Sequence, residues 1–131
     1  MHLLLVEDDK LVAEGLCRSL RQQGYSVEHC ASISSAMQWL QSDEIELLVL
    51  DLGLPDGDGI DVLKQLKSQA HTKNIPVHII SSKDKNKETL ELGAIGYLQK
   101  PVYDGDINNI ISSIDSFQEK KIKDLLIVED D

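Results

Sequence analysis

At 131 residues the chain fits one compact domain with a proper core, and it needs no second one. A formal net charge of −10, from 23 acidic against 13 basic residues, lacks the basic footprint that phosphate-backbone binding requires, so nucleic acid is not expected as a direct partner. Hydrophobic residues at 41% with aromatics at 4% describe an aliphatic core of ordinary soluble composition.

Leu3-Leu4-Leu5-Val6 reads as a strand buried on both faces, because one wet face would force alternation. It ends on Glu7, Asp8 and Asp9, and is far too short for a signal peptide or a membrane span. From Lys10 the period lengthens. Leu11, Val12, Leu16 and Leu20 share a helical face, and Gly24 closes it as a cap. Residues 25–29 alternate as a second strand, and Ser32 caps a helix carrying Ala36, Met37 and Leu40. Leu47-Leu48-Val49-Leu50 is again unbroken and again ends on an acid, Asp51. Gly53, Pro55, Gly57 and Gly59 then exclude regular structure until a helix begins near Ile60, with Val62, Leu63 and Leu66 on its face, ending before Pro76. Residues 77–80 form a fourth strand that stops at Ser81-Ser82. A short polar helix spans roughly residues 85–92, Gly93 ends it, and residues 95–98 give a short fifth strand before Lys100-Pro101. Ile107, Ile110, Ile111 and Ile114 space a last helix running to about Gln118. Cys17 and Cys30 have neither metal nor redox spacing, and as two buried free thiols they suit a reducing cytoplasm.

Five strands alternating with five helices predict an α/β fold, a parallel sheet covered on both faces with right-handed crossovers. Asp8, Asp51, Ser81 and Lys100, far apart in the chain, then converge on one sheet edge, where open parallel sheets bind ligands. Asp8 and Asp9, or Glu7, face Asp51 there. Two carboxylates about 4 Å apart at an effective dielectric near 20 repel by roughly 4 kcal/mol, so a cation is required. Oxygen donors alone favour a hard ion such as Mg2+, which leaves room for phosphate. Ser81 and Lys100 suit phosphate oxygens, and Asp51 is the candidate nucleophile, forming an acyl phosphate. Each residue also has a plainer reading: a cap of the first helix for Asp8 and above all Asp9, a turn cap for Asp51, a turn serine for Ser81, a surface lysine for Lys100, simple packing for Tyr97. Agreement across four strand ends favours the site. A calcium loop at Asp56-Gly57-Asp58-Gly59 fails, since Ile60 and Lys67 stand where oxygen ligands are needed. Walker, dinucleotide and Ser-His-Asp motifs are absent, and the histidines at 2, 29, 71 and 78 are scattered.

Leu-Val-Glu-Asp-Asp at 5–9, the run from Asp51 to Gly59, Ser81-Ser82, and Gly96-Tyr97-Leu98-Gln99-Lys100-Pro101 together resemble the receiver domain of two-component response regulators. The resemblance implies a flavodoxin-like, doubly wound five-stranded sheet of order 2-1-3-4-5. It implies that Asp51 is the phosphoacceptor, served by a histidine kinase or a histidine phosphotransfer domain. Asp8, Asp51 and the Gly53 carbonyl would bind Mg2+, and Glu7 would hold metal water. Ser81 and Lys100 would hold the phosphoryl group, and the Lys100–Pro101 bond would be cis. Ser81 and then Tyr97 would switch the face made by the fourth helix, fifth strand and fifth helix, while Lys83 would set water access. Such a domain is no conventional enzyme, since it catalyses its own phosphorylation from a donor and its own dephosphorylation. It is expected in the cytoplasm, away from membranes. The Ser81–Tyr97 interval is nearly one helical turn shorter than in many receivers. That resembles receivers attached to hybrid histidine kinases, whereas the first half looks like receivers of DNA-binding regulators, so a hybrid-type or a spliced receiver is implied. The last helix lacks the charged dimerisation pattern of those regulators, which implies a monomer or weak dimer. Two other classes compete. A Mg2+-dependent aspartyl-phosphate phosphatase would carry Asp-x-Asp, but Gly53 occupies the second position; a non-phosphorylated flavodoxin-like interaction module would need no acceptor.

Residues 119–131 fall outside the element count. Residues 125–131 (Leu-Leu-Ile-Val-Glu-Asp-Asp) match residues 3–9 at six of seven positions, offset by 122. The expected organisation is a receiver domain over 1–118, then a linker and stub over 119–131 resembling the first strand of a following receiver. Other readings are chance similarity, a disordered stub, or a strand that pairs with a sheet edge or swaps between chains. An attached output domain or a second receiver is the corresponding partner.

Overall fold

A computed structural model describes residues 2–103 and 105–129, with side chains as far as residue 126. Asp130 and Asp131, the acids that close the repeated motif, lie outside the described residues. Five strands, β1 (His2–Val6), β2 (Ser26–Cys30), β3 (Leu47–Asp51), β4 (Val77–Ser81) and β5 (Gly96–Gln99), form one parallel sheet in the order β2-β1-β3-β4-β5. Between and after them run α1 (Lys10–Gln22), α2 (Ile33–Leu40), α3 (Gly59–Ser68), α4 (Asn86–Glu91) and α5 (Asp106–Glu129).

Alternation along each strand divides the core into two layers. Leu3, Leu5, Leu47, Val49 and Ile80 meet α1 and α5 through Leu16, Leu20, Ile110 and Ile114. Leu4, Val6, Leu48, Leu50 and Ile79 meet α2 and α3 through Ala36, Leu40, Leu63 and Leu66 on the other face. Every residue of β3 and β4 is buried, which is why their sequences show no polar alternation.

The helix ends follow local chemistry. The Asp9 carboxylate accepts from the backbone N–H groups of Leu11 at 3.0 Å and Val12 at 3.2 Å, so Asp9 is the N-cap of α1. Ser32 caps α2 and Asp58 caps α3 in the same way. Gly24 and Gly93 follow α1 and α4 with φ of +96° and +103°, the left-handed geometry that glycine tolerates. Cys17 and Cys30 are buried free thiols.

Two elements differ from expectation. The glycine-rich loop is not devoid of pairing: residues 53–54 and 57–58 form a minimal antiparallel ribbon around Pro55-Asp56. Glycine and proline depress strand propensity, yet they also make the tight turn that lets so short a ribbon close. The last helix, in turn, does not end near Gln118 but continues to Glu129, so residues 119–129, expected as linker and stub, are helical. No glycine or proline interrupts residues 106–131, and Glu119 stands four residues before Lys123, a spacing that supports a helix. From residue 119 to 126 every side chain of α5 is exposed. None of the helices, among the described residues, is long and apolar enough to cross a membrane.

Candidate functional site

Strand register builds the site. Val6 pairs with Leu50, Asp51 with Ile80, and Ser81 with Gln99. Because all the strands are parallel, Glu7, Asp51, Ser81 and Lys100 emerge side by side at the carboxyl edge. The ladders run one residue past the strands: Glu7 N–H donates to the Cys30 carbonyl at 3.0 Å, Leu52 N–H to that of Ile80 at 3.1 Å, and Lys100 N–H to that of Ser81 at 2.7 Å. The side chains are therefore held by fixed backbone. The loop after Asp51 turns back so tightly that a Cβ on Gly59 would meet the Leu52 Cα at 2.5 Å, so glycine is required there.

Glu7, Asp8 and Asp51 each place a carboxylate oxygen within 4.8 Å of the others, with Glu7 and Asp51 buried and Asp8 exposed. Lys100 supplies a cation from the chain itself: its Nζ lies 2.6 Å from Glu7 Oε1 and 3.2 Å from Asp51 Oδ2. Asp51 Oδ1 accepts from the Gly53 N–H at 3.0 Å, so both acceptor oxygens are oriented. Burial, followed by the neighbouring Asp51 carboxyl, pushes Glu7 up to about 8 against the pull of Lys100. Burial also works to raise Asp51, but Glu7, the Gly53 N–H and Lys100 outweigh it and hold that carboxyl below its ordinary value. Burial works to lower Lys100, and the two carboxyls outweigh it and raise it. One ammonium thus serves two buried acids unequally: Asp51 stays ionised while Glu7 tends to hold its proton.

Glu7 Oε2 is buried and without a hydrogen-bond partner. An unpartnered buried carboxyl oxygen beside two more carboxylates, one of them open to solvent, is a donor set that fits a hard divalent cation once Glu7 gives up its proton.

The expected residues separate in space. Glu7, Asp8, Asp51 and Lys100 come together, with Gly53 hydrogen-bonded to Asp51, and the Lys100–Pro101 peptide bond is cis. Asp9 is drawn off as a cap. Ser81, at the next strand end, is buried and accepts the Lys83 N–H at 3.1 Å. The Tyr97 ring is half-buried against the α2–α3 layer, and its hydroxyl accepts the Lys85 N–H at 3.0 Å, at the start of α4 rather than among the carboxylates. Two contributors were not legible as such in the sequence. The His29 ring donates to the Glu7 carbonyl at 2.8 Å and braces its backbone. Asp56 accepts from the Ile33 and Ser34 N–H groups at 2.9 and 3.1 Å, tying the loop after β3 to the first turn of α2. A lone histidine and a loop aspartate carry no such signal; only the fold brings them to these backbones.

Comparison with known proteins agrees with this geometry. Residues 3–112 match the family profile of the response regulator receiver domain. The response regulator protein PmrA of Pseudomonas aeruginosa is 39% identical over 104 residues, covering 77% of this chain and 46% of that protein, so the chain spans about half the length of such relatives. The Francisella response regulator 1452 receiver domain superposes with a TM-score of 0.80 at 26% identity, over 92% of this chain and 98% of that one. The Mn2+-bound form of response regulator Rcp1 superposes with a TM-score of 0.74 at 28% identity, over 89% and 93%. A doubly wound sheet of this order, acids and a lysine gathered at its carboxyl edge, and a family match over most of the length have one common explanation: the chain belongs to the receiver domains of two-component response regulators.

Proposed function

We propose that residues 1–118 form a phosphoacceptor unit in which Asp51 takes a phosphoryl group from the phosphohistidine of a histidine kinase or histidine phosphotransfer domain. The observation that carries this reading is the Asp51 carboxylate itself, buried, held below its ordinary pKa by Glu7, the Gly53 N–H and Lys100 against the effect of burial, and oriented through Oδ1 by Gly53 and through Oδ2 by Lys100. An oxygen so placed attacks phosphorus in line. The P–O bond to Asp51 forms as the P–N bond breaks, and the imidazole leaves as the neutral base after taking a proton. Asp8, Asp51 and the Gly53 carbonyl would hold Mg2+, with Glu7 holding its water, and the bound ion would supply charge neutralisation at the phosphoryl oxygens. Esterification removes the carboxylate charge that draws Lys100 to Asp51, which frees the ammonium for a phosphoryl oxygen; the Ser81 hydroxyl donates to another. Hydrolysis reverses the state when water attacks phosphorus and Asp51 leaves as carboxylate, and Lys83 screens that approach.

The switch follows from two bonds into one loop. Ser81 Oγ holds the Lys83 N–H, and Tyr97 Oη holds the Lys85 N–H. Drawing Ser81 onto a phosphoryl group strains the loop between them, shifts Tyr97 and reshapes the α4–β5–α5 face. The domain acts in the cytoplasm, as a monomer or weak dimer, and passes its state to an attached output or receiver domain. The test is Mg2+-dependent labelling by a small acyl phosphate: Asp51→Asn abolishes the acid-labile label, and undiminished label in that variant overturns the assignment.

A further inference from the structure

The last helix starts near the carboxyl edge of the sheet, runs back along it and leaves the domain at the amino edge. There the start of β3 and the turn before β4 flank it and leave a groove of about 590 Å3, lined by Leu47, Ile75, Pro76, Ile114, Phe117 and Ile122. This groove lies at the opposite end of the sheet from the carboxylates and apart from the α4–β5–α5 face.

Helical geometry carries one wall of the groove past the domain. Residues eleven apart stand three turns along a single face, so Leu125 continues the line of Ile114, whereas Leu126 points about 100° away. Leu125 is 62% exposed, and every side chain from 119 to 126 is exposed. At 1.5 Å per residue that segment projects about 12 Å beyond the sheet. A straight helix cannot turn back into the groove that it walls. The chain thus presents an apolar groove and, next to it, an apolar helix end that only another copy's groove can receive.

Charge favours the same pairing. Residues 119–126 carry Lys120, Lys121 and Lys123 against Glu119 and Asp124, in a chain whose net charge is −10. The segments leading into β3 and β4 expose Asp43, Glu44 and Glu46 against Lys73. An antiparallel neighbour brings its lysines to that acidic rim, while a parallel one would set lysines beside lysines and leave the groove empty.

We infer that this groove is a self-association surface, in which two copies cross antiparallel about a two-fold axis near residues 121 and 122 and each lays Leu125 into the groove of the other. Leu125 of one copy then lies level with Gln118 of its partner, over Phe117. The contact is isologous, so each half of it is made twice. The domains stand end to end with their amino edges facing, and both carboxylate sites stay open. One short groove and eight exposed residues per copy make a small interface, for which a dissociation constant on the order of 10–100 µM is expected. Nothing in this pairing depends on the phosphorylation read for Asp51.

Sedimentation equilibrium of residues 1–131 over about 5–500 µM tests it, a range that brackets that constant. The expected mass rises with concentration from one copy towards two. A single-copy mass throughout overturns the inference and gives the groove to a different polypeptide; growth beyond two copies overturns it as well. Leu125→Arg, at a position exposed in the single copy, is expected to raise the dissociation constant about tenfold or more, and Glu46→Lys to raise it about threefold. Leu90→Arg and Tyr103→Ala, both at exposed positions on the α4–β5–α5 side, are expected to leave it unchanged. Dissociation by those two variants with none by Leu125→Arg places the contact on that other face and overturns the inference. Small-angle X-ray scattering of the dimer should show an elongated, end-to-end particle, and domains lying side by side would overturn the antiparallel crossing.

Discussion

Residues 3–6 and residues 125–128 have nearly the same sequence and opposite fates. The first four are fully enclosed in the sheet, and the second four lie on a helix whose Leu125 and Leu126 are exposed. What separates them is what lies alongside. Ser26–Cys30 and Leu47–Asp51 offer the first copy hydrogen-bonding edges and two apolar layers. The second copy has only the preceding helix, whose backbone ladder continues at little cost. Local preference for strand is a weak prior that a missing neighbour reverses.

The sharpest way to break the comparison is to make one substitution in both copies. Leu4→Ala, in the fully buried strand, is expected to lower stability by about 3–5 kcal/mol through lost burial and the cavity left behind. Leu126→Ala is expected to stay within about 0.5 kcal/mol. Urea unfolding of the two variants decides it, and equal losses would show that α5 beyond residue 118 is packed after all.

Acid sharpens the comparison from another buried strand. His78, in β4, is 1% exposed with Nδ1 unpartnered, and burial pushes its pKa down to about 4 from an ordinary 6.5. The unfolded chain therefore binds a proton that the folded one refuses, so this contribution is fully present above pH 6.5 and is lost as pH falls towards 4. Glu7 runs the other way, since its raised pKa contributes stability at low pH that is lost as pH rises through about 8. A His78→Leu variant isolates the first effect: between pH 7 and pH 4 the unsubstituted protein should lose about 3 kcal/mol more than the variant. Parallel pH profiles would refute the burial assigned to that ring.

The acids after β1 give the smallest effect. Asp9→Ala is expected to cost about 1 kcal/mol by uncapping α1, with little change in Mg2+ affinity, because Asp9 serves the helix and not the carboxylate cluster. A Mg2+ titration showing a large loss would return Asp9 to the site.

Much of the fold could be read from residues whose demands are local or periodic. Unbroken apolar runs ending on acids marked β1 and β3, the spacing of Leu16 and Leu20 marked α1, and convergence at one edge followed from parallel strands alone. The site was legible to the same depth, as an acid-rich rim with one lysine, but not in its division of labour. Which of Glu7, Asp8 and Asp9 would turn inward depends on the residue at which α1 begins, and a shift of one position along that helix start would have exchanged their roles. The end of α5 was misread for a related reason: the apolar run at 125–128 asks for a sheet that the described chain does not provide. The Asp56 bonds to Ile33 and Ser34 span 23 and 22 residues and leave no mark on either segment.

Those two bonds make the start of α2 a gauge of the loop that leaves Asp51. An amide at an exposed helix start ordinarily exchanges with solvent at will, having no carbonyl behind it to hold its hydrogen. Here the amides of Ile33 and Ser34 are locked by a side chain from that loop, so each excursion of the loop unlocks them together, and their exchange rates keep time for a motion more than twenty residues away in the chain.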